Sequence, residues 1–365
     1  MIDGSRLIIE SMVKSAAEVY VGYPITPANW LYAYAKQRFP TFLAAPDEIS
    51  ALQWASGFSA SGKFPVTGTS FPGFSLMIES LNMAFMMELP MVIVLVQRLG
   101  PSTGSATTGA QGDLLLLRGA ISGGFQIPVF CPSNLQDCWE LASESVATAL
   151  KLRTPVILLS SKEMLMTNQS FDLAQLPDMP HSEWPEYSGN GSYHSYETEN
   201  NQAPPFLPVG NLQQQVRLNA STHGQAGLIQ KATPEALGNT KRLQTKIDYH
   251  LPEFTFYEYD HEQNSQTLLV TYGISAGAAR QALIQQRAKG HKVSLLVIKT
   301  LLPFSSTIFD IFSEFKNLVL IEENHSGLLS EILFGKAINP RLKKANKIGS
   351  MITPSEIEKE VELCQ

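Results

Sequence analysis

Between Pro90 and Arg98 lies a segment in which nothing alternates: Met91-Val92-Ile93-Val94-Leu95-Val96-Gln97 is apolar almost from end to end. A strand with one wet face carries a polar residue at every second position, and a buried helix needs a longer run than this. The segment therefore predicts a strand buried on both faces, which requires a parallel sheet covered by helices on either side. The rest of the N-terminal half follows the same logic. Residues 19–21, 41–45, 64–69, 128–131 and 155–160 form further short apolar strands. Between them the apolar residues recur at helical spacing: Leu7, Ile8, Met12 and Val13 over residues 5–17, then Ile49, Leu52, Trp54, Ala55 and Phe58 as the inward stripe of residues 48–60. Residues 78–87 and 135–152 complete the helices, and the fold class is α/β with a parallel sheet.

A chain of 365 residues is too long for one typical domain. Hydrophobic content of 44% with 16% charged residues suits well-covered sheets. A formal net charge of -6 and the lack of a basic cluster argue against nucleic acid as a ligand. Asp3, Glu10 and Glu18 interrupt the N-terminal segment, so it does not read as a secretory signal. The longest apolar run, residues 89–96, is too short to cross a bilayer, and a cytoplasmic protein is expected. Cys131, Cys138 and Cys364 supply too few thiolates for an iron–sulfur cubane, so any such cluster is expected on another chain.

In an open parallel sheet, ligands collect beyond the carboxyl ends of the strands. Beyond residues 19–21 comes Gly22-Tyr23-Pro24-Ile25-Thr26-Pro27, a loop stiffened by prolines that fix their own φ and push their predecessors toward extended geometry. Beyond residues 41–45 comes the pair Asp47-Glu48. Arg98 follows directly on residues 91–97, with Gly100-Pro101-Ser102-Thr103-Gly104-Ser105-Ala106-Thr107-Thr108-Gly109 after it. A hydroxyl, a carboxylate and a guanidinium are thus offered to one crevice. An arginine beside a loop of small residues and free amides can grip a carboxylate in bidentate fashion; its plainer role is to pair with Asp113 and hold the loop. Gly57-Phe58-Ser59-Ala60-Ser61-Gly62-Lys63 has the spacing of a phosphate-binding loop, but it leaves a helix for a strand, and Phe64 stands where a hydroxyl would meet magnesium. That stretch is a turn.

Four ordered blocks then carry a resemblance. Gly22-Tyr23-Pro24-Ile25-Thr26-Pro27, Asp47-Glu48-Ile49, Thr69-Ser70-Phe71-Pro72-Gly73-Phe74-Ser75-Leu76-Met77 and Val96-Gln97-Arg98-Leu99-Gly100-Pro101-Ser102-Thr103-Gly104 occur in the order found in alpha subunits of 2-oxoacid:ferredoxin oxidoreductases, the pyruvate flavodoxin/ferredoxin oxidoreductase family, and the chain most resembles the 2-oxoglutarate type. The resemblance implies a parallel-sheet domain that binds the pyrimidine side of thiamine diphosphate. It makes Glu48 the catalytic carboxyl that hydrogen-bonds the pyrimidine ring, with Tyr23, Pro24 and Ile25 beside the cofactor. It makes Thr26 and Arg98 the residues that contact the 2-oxoacid, Arg98 taking the carboxylate that leaves as carbon dioxide. Oxidative decarboxylation to an acyl-coenzyme A follows, with coenzyme A as co-substrate and electrons passing to ferredoxin or flavodoxin. The chain has no Gly-Asp-Gly segment followed by asparagine, so the resemblance implies a beta subunit that brings Mg2+, the diphosphate site and an iron–sulfur cluster. A gamma subunit is also expected, because the chain begins directly at the alpha motif.

Two departures bear on the substrate. Phe71 replaces a glycine usual in its block, and Ser105-Ala106-Thr107-Thr108-Gly109-Ala110-Gln111 lacks the basic residue that a second substrate carboxylate would want. Pyruvate, a branched-chain or an aryl 2-oxoacid is the alternative substrate, and a non-catalytic scaffold subunit the alternative role.

The domains read as residues 1–166, a polar crossover or linker at 167–255, and a smaller C-terminal α/β unit at 256–365. The crossover is rich in Pro, Asn, Gln, Ser, His and Gly, which as composition alone is a linker or disordered insert. Pro204-Pro205-Phe206-Leu207-Pro208 and Thr222-His223-Gly224 instead resemble an ordered crossover of the family, although Gly224 and Gln225 stand where acids normally follow the histidine. His223 is expected at the surface, and Lys241, Arg242 and Lys246 on a solvated helix face. In the C-terminal unit, strands at 267–272, 293–298 and 317–322 alternate with helices at 276–287, where Ala279, Leu283 and Ile284 point inward, and 328–334. Its order resembles the C-terminal domain of transketolase-like enzymes. Glu322-Glu323-Asn324 is expected to cap and to form an interface.

Overall fold

The computed structural model describes residues 1–199, 201–336 and 338–364. The first two-thirds of the chain runs α1 (Gly4–Ser15), β1 (Val19–Gly22), α2 (Asn29–Arg38), β2 (Thr41–Ala44), α3 (Glu48–Ala60), β3 (Pro65–Ser70), α4 (Phe71–Met86), β4 (Met91–Gln97), α5 (Leu114–Arg118), β5 (Val129–Phe130), α6 (Leu135–Leu152), β6 (Pro155–Ser161), α7 (Lys162–Met166) and α8 (Pro234–His250). The remainder runs β7 (Tyr257–Asp260), β8 (Thr267–Thr271), α9 (Ala276–Ala288), β9 (Val293–Ile298), β10 (Thr300–Leu302), α10 (Ser306–Ser313), β11 (Asn317–Glu322), α11 (Leu328–Phe334), β12 (Leu342–Asn346) and α12 (Pro354–Glu362).

These strands make two sheets. The larger has the order β10-β5-β6-β4-β3-β1-β2, parallel except for β10, and the smaller β12-β11-β8-β9-β7, parallel except for β7. β4 sits in the middle of the large sheet, and every one of its residues is buried. Burying a valine, leucine or isoleucine fully contributes about 1.5–3 kcal/mol, so Val92 to Val96 anchor the layer. Helices lie on both faces. On one, α1 packs along α6, where the Ser11 hydroxyl donates to the Trp139 carbonyl at 2.6 Å and the Ser15 hydroxyl to Ser143 at 2.8 Å.

The register aligns the carboxyl ends of the central strands. Gly22 pairs with Ala44, Ser70 with Val96, and Gln97 with Ser161, so the residues after β1, β2, β3 and β4 open onto one edge. Asp47 caps α3 by accepting from the Ser50 amide at 2.7 Å, which fixes Glu48 at the first position of that helix.

Several expectations need correction. In α3, Leu52 and Ala55 are buried but Ile49 and Trp54 are exposed, so the apolar stripe is narrower than the residue types suggest. Ile284 likewise faces solvent on α9. α4 begins at Phe71, ahead of the expected residue 78, because Pro72 at the first turn is compatible with a helix start. The strand expected at 293–298 is followed at once by Thr300-Leu301-Leu302, which crosses to the large sheet and pairs antiparallel with β5.

The crossover corrects the sequence reading most. His223 is buried, stacked on Tyr196 with ring centroids 3.9 Å apart, and its Nδ1 lies 2.6 Å from the Ser221 carbonyl. Arg242 and Lys246 are buried as well, on the inner face of α8, and converge on the carboxylate of Glu88. Arg153 completes the group, donating to the carbonyls of Pro204 and Pro205 at 3.1 Å. Burial alone would push the Glu88 carboxyl up; Arg242, Lys246 and Arg153 outweigh it and hold it well below the usual carboxylate range. The polar segment is thus ordered by a charge cluster together with buried aromatics, Tyr193, Tyr196 and Phe206, scattered along it without periodicity. Among the described residues no helix is long and apolar enough to cross a membrane.

Candidate active site

Glu48 stands at the start of α3 and is only 7% exposed. Its side chain leans toward the first turn of α4, where Gly73 leaves room for it: a β-carbon at Gly73 would fall 2.5 Å from Glu48 Oε1 and collide with Thr69 Oγ1. Among the described residues no cation or hydrogen-bond donor is paired with this carboxylate. The residue is mostly buried, but its carboxylate oxygens are not sealed from solvent, so they stand open to a ligand. Gly73→Ala is expected to force Glu48 aside and destabilise the fold by about 1–3 kcal/mol, the cost of overpacking a filled site, which denaturant unfolding checks.

Arg98 leaves the end of β4, is buried, and donates from Nη1 to the Thr26 carbonyl at 2.5 Å. That bond ties the β4 end to the loop after β1, and so brings together two of the residues expected at the site. The Thr26 hydroxyl accepts from Asn29 Nδ2 at 3.2 Å. Tyr23 and Pro24 are exposed on the same loop, and Ile25 is half-buried. Arg98 does not form a close ion pair with Asp113. Both line a cleft of about 310 Å³, together with Phe71 and Leu99 on the large-sheet side and His325, Leu328 and Ile348 on the other.

The segment after Arg98 is held from both ends. Leu99 donates its amide to the Thr108 carbonyl at 2.8 Å, and Glu163 accepts from the Gly109 amide at 3.1 Å. Gln111 is fully buried: its Nε2 donates to the Tyr272 carbonyl at 2.9 Å, while its Oε1 accepts from Ser275 and from the Glu323 amide, each at 2.7 Å. Glu322 accepts from the Leu329 amide at the start of α11, and Asn324 accepts from Gly327 and donates to the Gln111 carbonyl. Glu322-Glu323-Asn324 is thus the cap and interface expected of it. Burial raises Glu323 to about 7, against its bond from the Ile352 amide.

Gln111, Gly73 and Glu163 were not singled out from sequence. Gly73 alone carried a signal, a glycine inside the first turn of a helix where propensity disfavours it. Among the described residues no three His, Cys, Asp or Glu converge to hold a metal ion. Cys131 and Cys138 are buried, and burial pushes both thiols up.

Arg98 and the loop of Thr26 meet at the strand ends, with Glu48 on the same edge, the edge at which open α/β sheets gather their ligands. Residues 10–236 match the model of the pyruvate flavodoxin/ferredoxin oxidoreductase, thiamine diphosphate-binding family, and the chain belongs to that family. It is 28% identical to the 2-oxoglutarate synthase subunit KorA of Archaeoglobus fulgidus, over 99% of this chain and 98% of that protein. Among solved structures it is similar to a 2-oxoglutarate:ferredoxin oxidoreductase from Magnetococcus marinus with 2-oxoglutarate, coenzyme A and succinyl-CoA bound, at TM-score 0.89 and 27% identity. The match covers 99% of this chain and 64% of the Magnetococcus chain, so this chain spans somewhat less than two-thirds of it. A split-gene transketolase matches at TM-score 0.57 and 12% identity over the whole chain, a likeness of fold alone.

Proposed function

We propose that this chain is the alpha subunit of a thiamine-diphosphate-dependent 2-oxoacid:ferredoxin oxidoreductase, with 2-oxoglutarate the favoured substrate. In that reaction the bond between the carboxyl and oxo carbons breaks, carbon dioxide leaves, a thioester to coenzyme A forms, and two electrons pass to ferredoxin or flavodoxin. The observation that carries the reading is Glu48 at the start of α3, mostly buried, without an ion pair, and with its carboxylate against Gly73.

The residues present fit the pyrimidine side of the cofactor, Glu48 holding the ring and Tyr23, Pro24 and Ile25 flanking it. When bound, thiamine diphosphate would supply nucleophilic carbon chemistry at an oxo group. Glu48 holds a proton at the ring nitrogen, which sets the tautomer of the pyrimidine. Arg98 binds the substrate carboxylate, and Thr26 orients the oxo group. Phe71, Leu99, Leu328 and Ile348 give the cleft beside Arg98 an apolar lining, which strengthens the contacts Arg98 makes there.

A beta partner would bring Mg2+, the diphosphate clamp and an iron–sulfur cluster, and a gamma partner would complete the assembly in the cytoplasm. Residues 1–166 would form the cofactor-binding unit, 167–255 the crossover and 256–365 a unit that packs. The test is to purify the native complex and offer it coenzyme A and an electron acceptor with 2-oxoglutarate, pyruvate, a branched-chain or an aryl 2-oxoacid. Coenzyme A-dependent reduction, fastest with 2-oxoglutarate, is the expected result. Fastest reduction with another acid would transfer the assignment to it, and no reduction with any would leave a scaffold subunit.

A further inference from the structure

Asp113 is the one acid among the cleft-lining residues and has no visible structural duty. It is 3% exposed, it precedes α5 without capping it, and its Oδ2 is buried with no hydrogen-bond partner. Arg98 lines the same cleft, and its Nε is also buried without a partner. The segment that carries Asp113 cannot drift, because Gln111, two residues earlier, is bonded to Tyr272, Ser275 and Glu323 of the C-terminal unit. The charged or titratable groups facing Asp113 are Arg98 from the end of β4, Tyr272 from the end of β8 and His325 from the turn before α11.

A guanidinium with one fixed bond, to the Thr26 carbonyl, keeps its other donors for an anion. Two carboxylates near one buried guanidinium do not both stay ionised at neutral pH; in a dry site, like charges force one of them to hold a proton. Resting on the reading of Arg98 as the residue that takes the substrate carboxylate, we infer that Asp113 is a positioning residue. It faces Arg98 across the cleft without a close ion pair, draws the guanidinium toward itself while ionised, and gives it up to the 2-oxoacid by taking up a proton. Substrate binding is then coupled to proton uptake at a group that never touches the reacting carbons.

Burial places the free carboxyl in the right range: it is raised to about 7, against the pull of Arg98. Above that pH the ionised carboxyl competes with the substrate for Arg98, so KM rises with pH; below it the competition is gone. The sign is that of a group whose proton affinity increases on binding.

The experiment uses the native complex with 2-oxoglutarate. KM measured from pH 6 to 9 is expected to be flat below pH 7 and to climb by about tenfold per unit above it, the slope of a single proton. In Asp113→Asn, which keeps the shape of the neutral acid, the rise between pH 7 and 9 is expected to shrink below about threefold. A variant whose KM climbs as steeply as the parent's would overturn the inference, and so would a uniform increase at every pH with the slope preserved, the mark of a merely structural role. Calorimetric binding at pH 8 in buffers of different ionisation enthalpy reads the same proton without turnover. A complex that binds the acid with proton uptake but does not decarboxylate it would refute the proposed reaction and support this coupling; binding without proton uptake would refute the coupling alone, and absence of binding would refute both.

Discussion

Replacing Glu48 with glutamine is expected to lower turnover of the 2-oxoacid by about 10²–10⁴-fold, the range a positioned acid or base supplies. Glutamine matches glutamate in shape, and Asp47, not Glu48, caps α3, so the helix start is preserved. No ion pair or hydrogen bond of the Glu48 side chain is lost among the described residues, so the substitution costs the fold little. What changes is the proton. An amide offers a fixed pair of N–H donors where the ring nitrogen needs a group that can hold or release one. Turnover and size-exclusion of the assembled complex are the measurements. A Glu48→Gln complex within threefold of the parent's kcat would separate catalysis from this carboxyl and favour the scaffold alternative.

The second large effect falls on the fold. Glu88→Ala is expected to destabilise the chain by about 3–5 kcal/mol, because removing one partner of a buried ionic group leaves the others uncompensated. Here the remainder would be Arg153, Arg242 and Lys246, all buried and all cationic. Arg153 also holds the crossover by its carbonyls, and Lys246 donates to the Arg153 carbonyl at 3.3 Å, so the ends of α4 and α6, the crossover and α8 loosen together. Denaturant unfolding followed by far-UV circular dichroism, with limited proteolysis of residues 167–233, checks this. A loss under 1 kcal/mol would mean that the cluster is incidental to the packing of α8.

The large sheet was legible because its central strands are buried on both faces, and a run such as Met91–Gln97 has no other good solution. The strand-end residues were legible for the same reason: once β1 to β4 are placed, Thr26, Glu48 and Arg98 fall on one edge by register alone. Arg242 and Lys246 were not. A lysine or arginine at helical spacing looks like a solvated face unless its counter-ion is known, and Glu88 lies more than a hundred and fifty positions away. His223 was misplaced for a related reason, since its cover is Tyr196 from a segment with no periodicity. Ile49, Trp54 and Ile284 erred in the opposite direction. Hydrophobicity says that a side chain gains by burial, not that a neighbour is present in the same chain to bury it. Asp113 was visible only as a possible partner for Arg98; its lack of a hydrogen bond is a fact of three-dimensional placement.

β10 leaves its sequence neighbours in the small sheet to lie along β5, and Lys299, just before it, donates to Asp137 of α6 at 2.7 Å. During synthesis the early lobe must therefore wait, its margin of unpaired amides and carbonyls unguarded, until the chain has emerged past residue 302. The two lobes finish as a single article of assembly, and a nascent chain stalled between them would be a template for sticking to its neighbours.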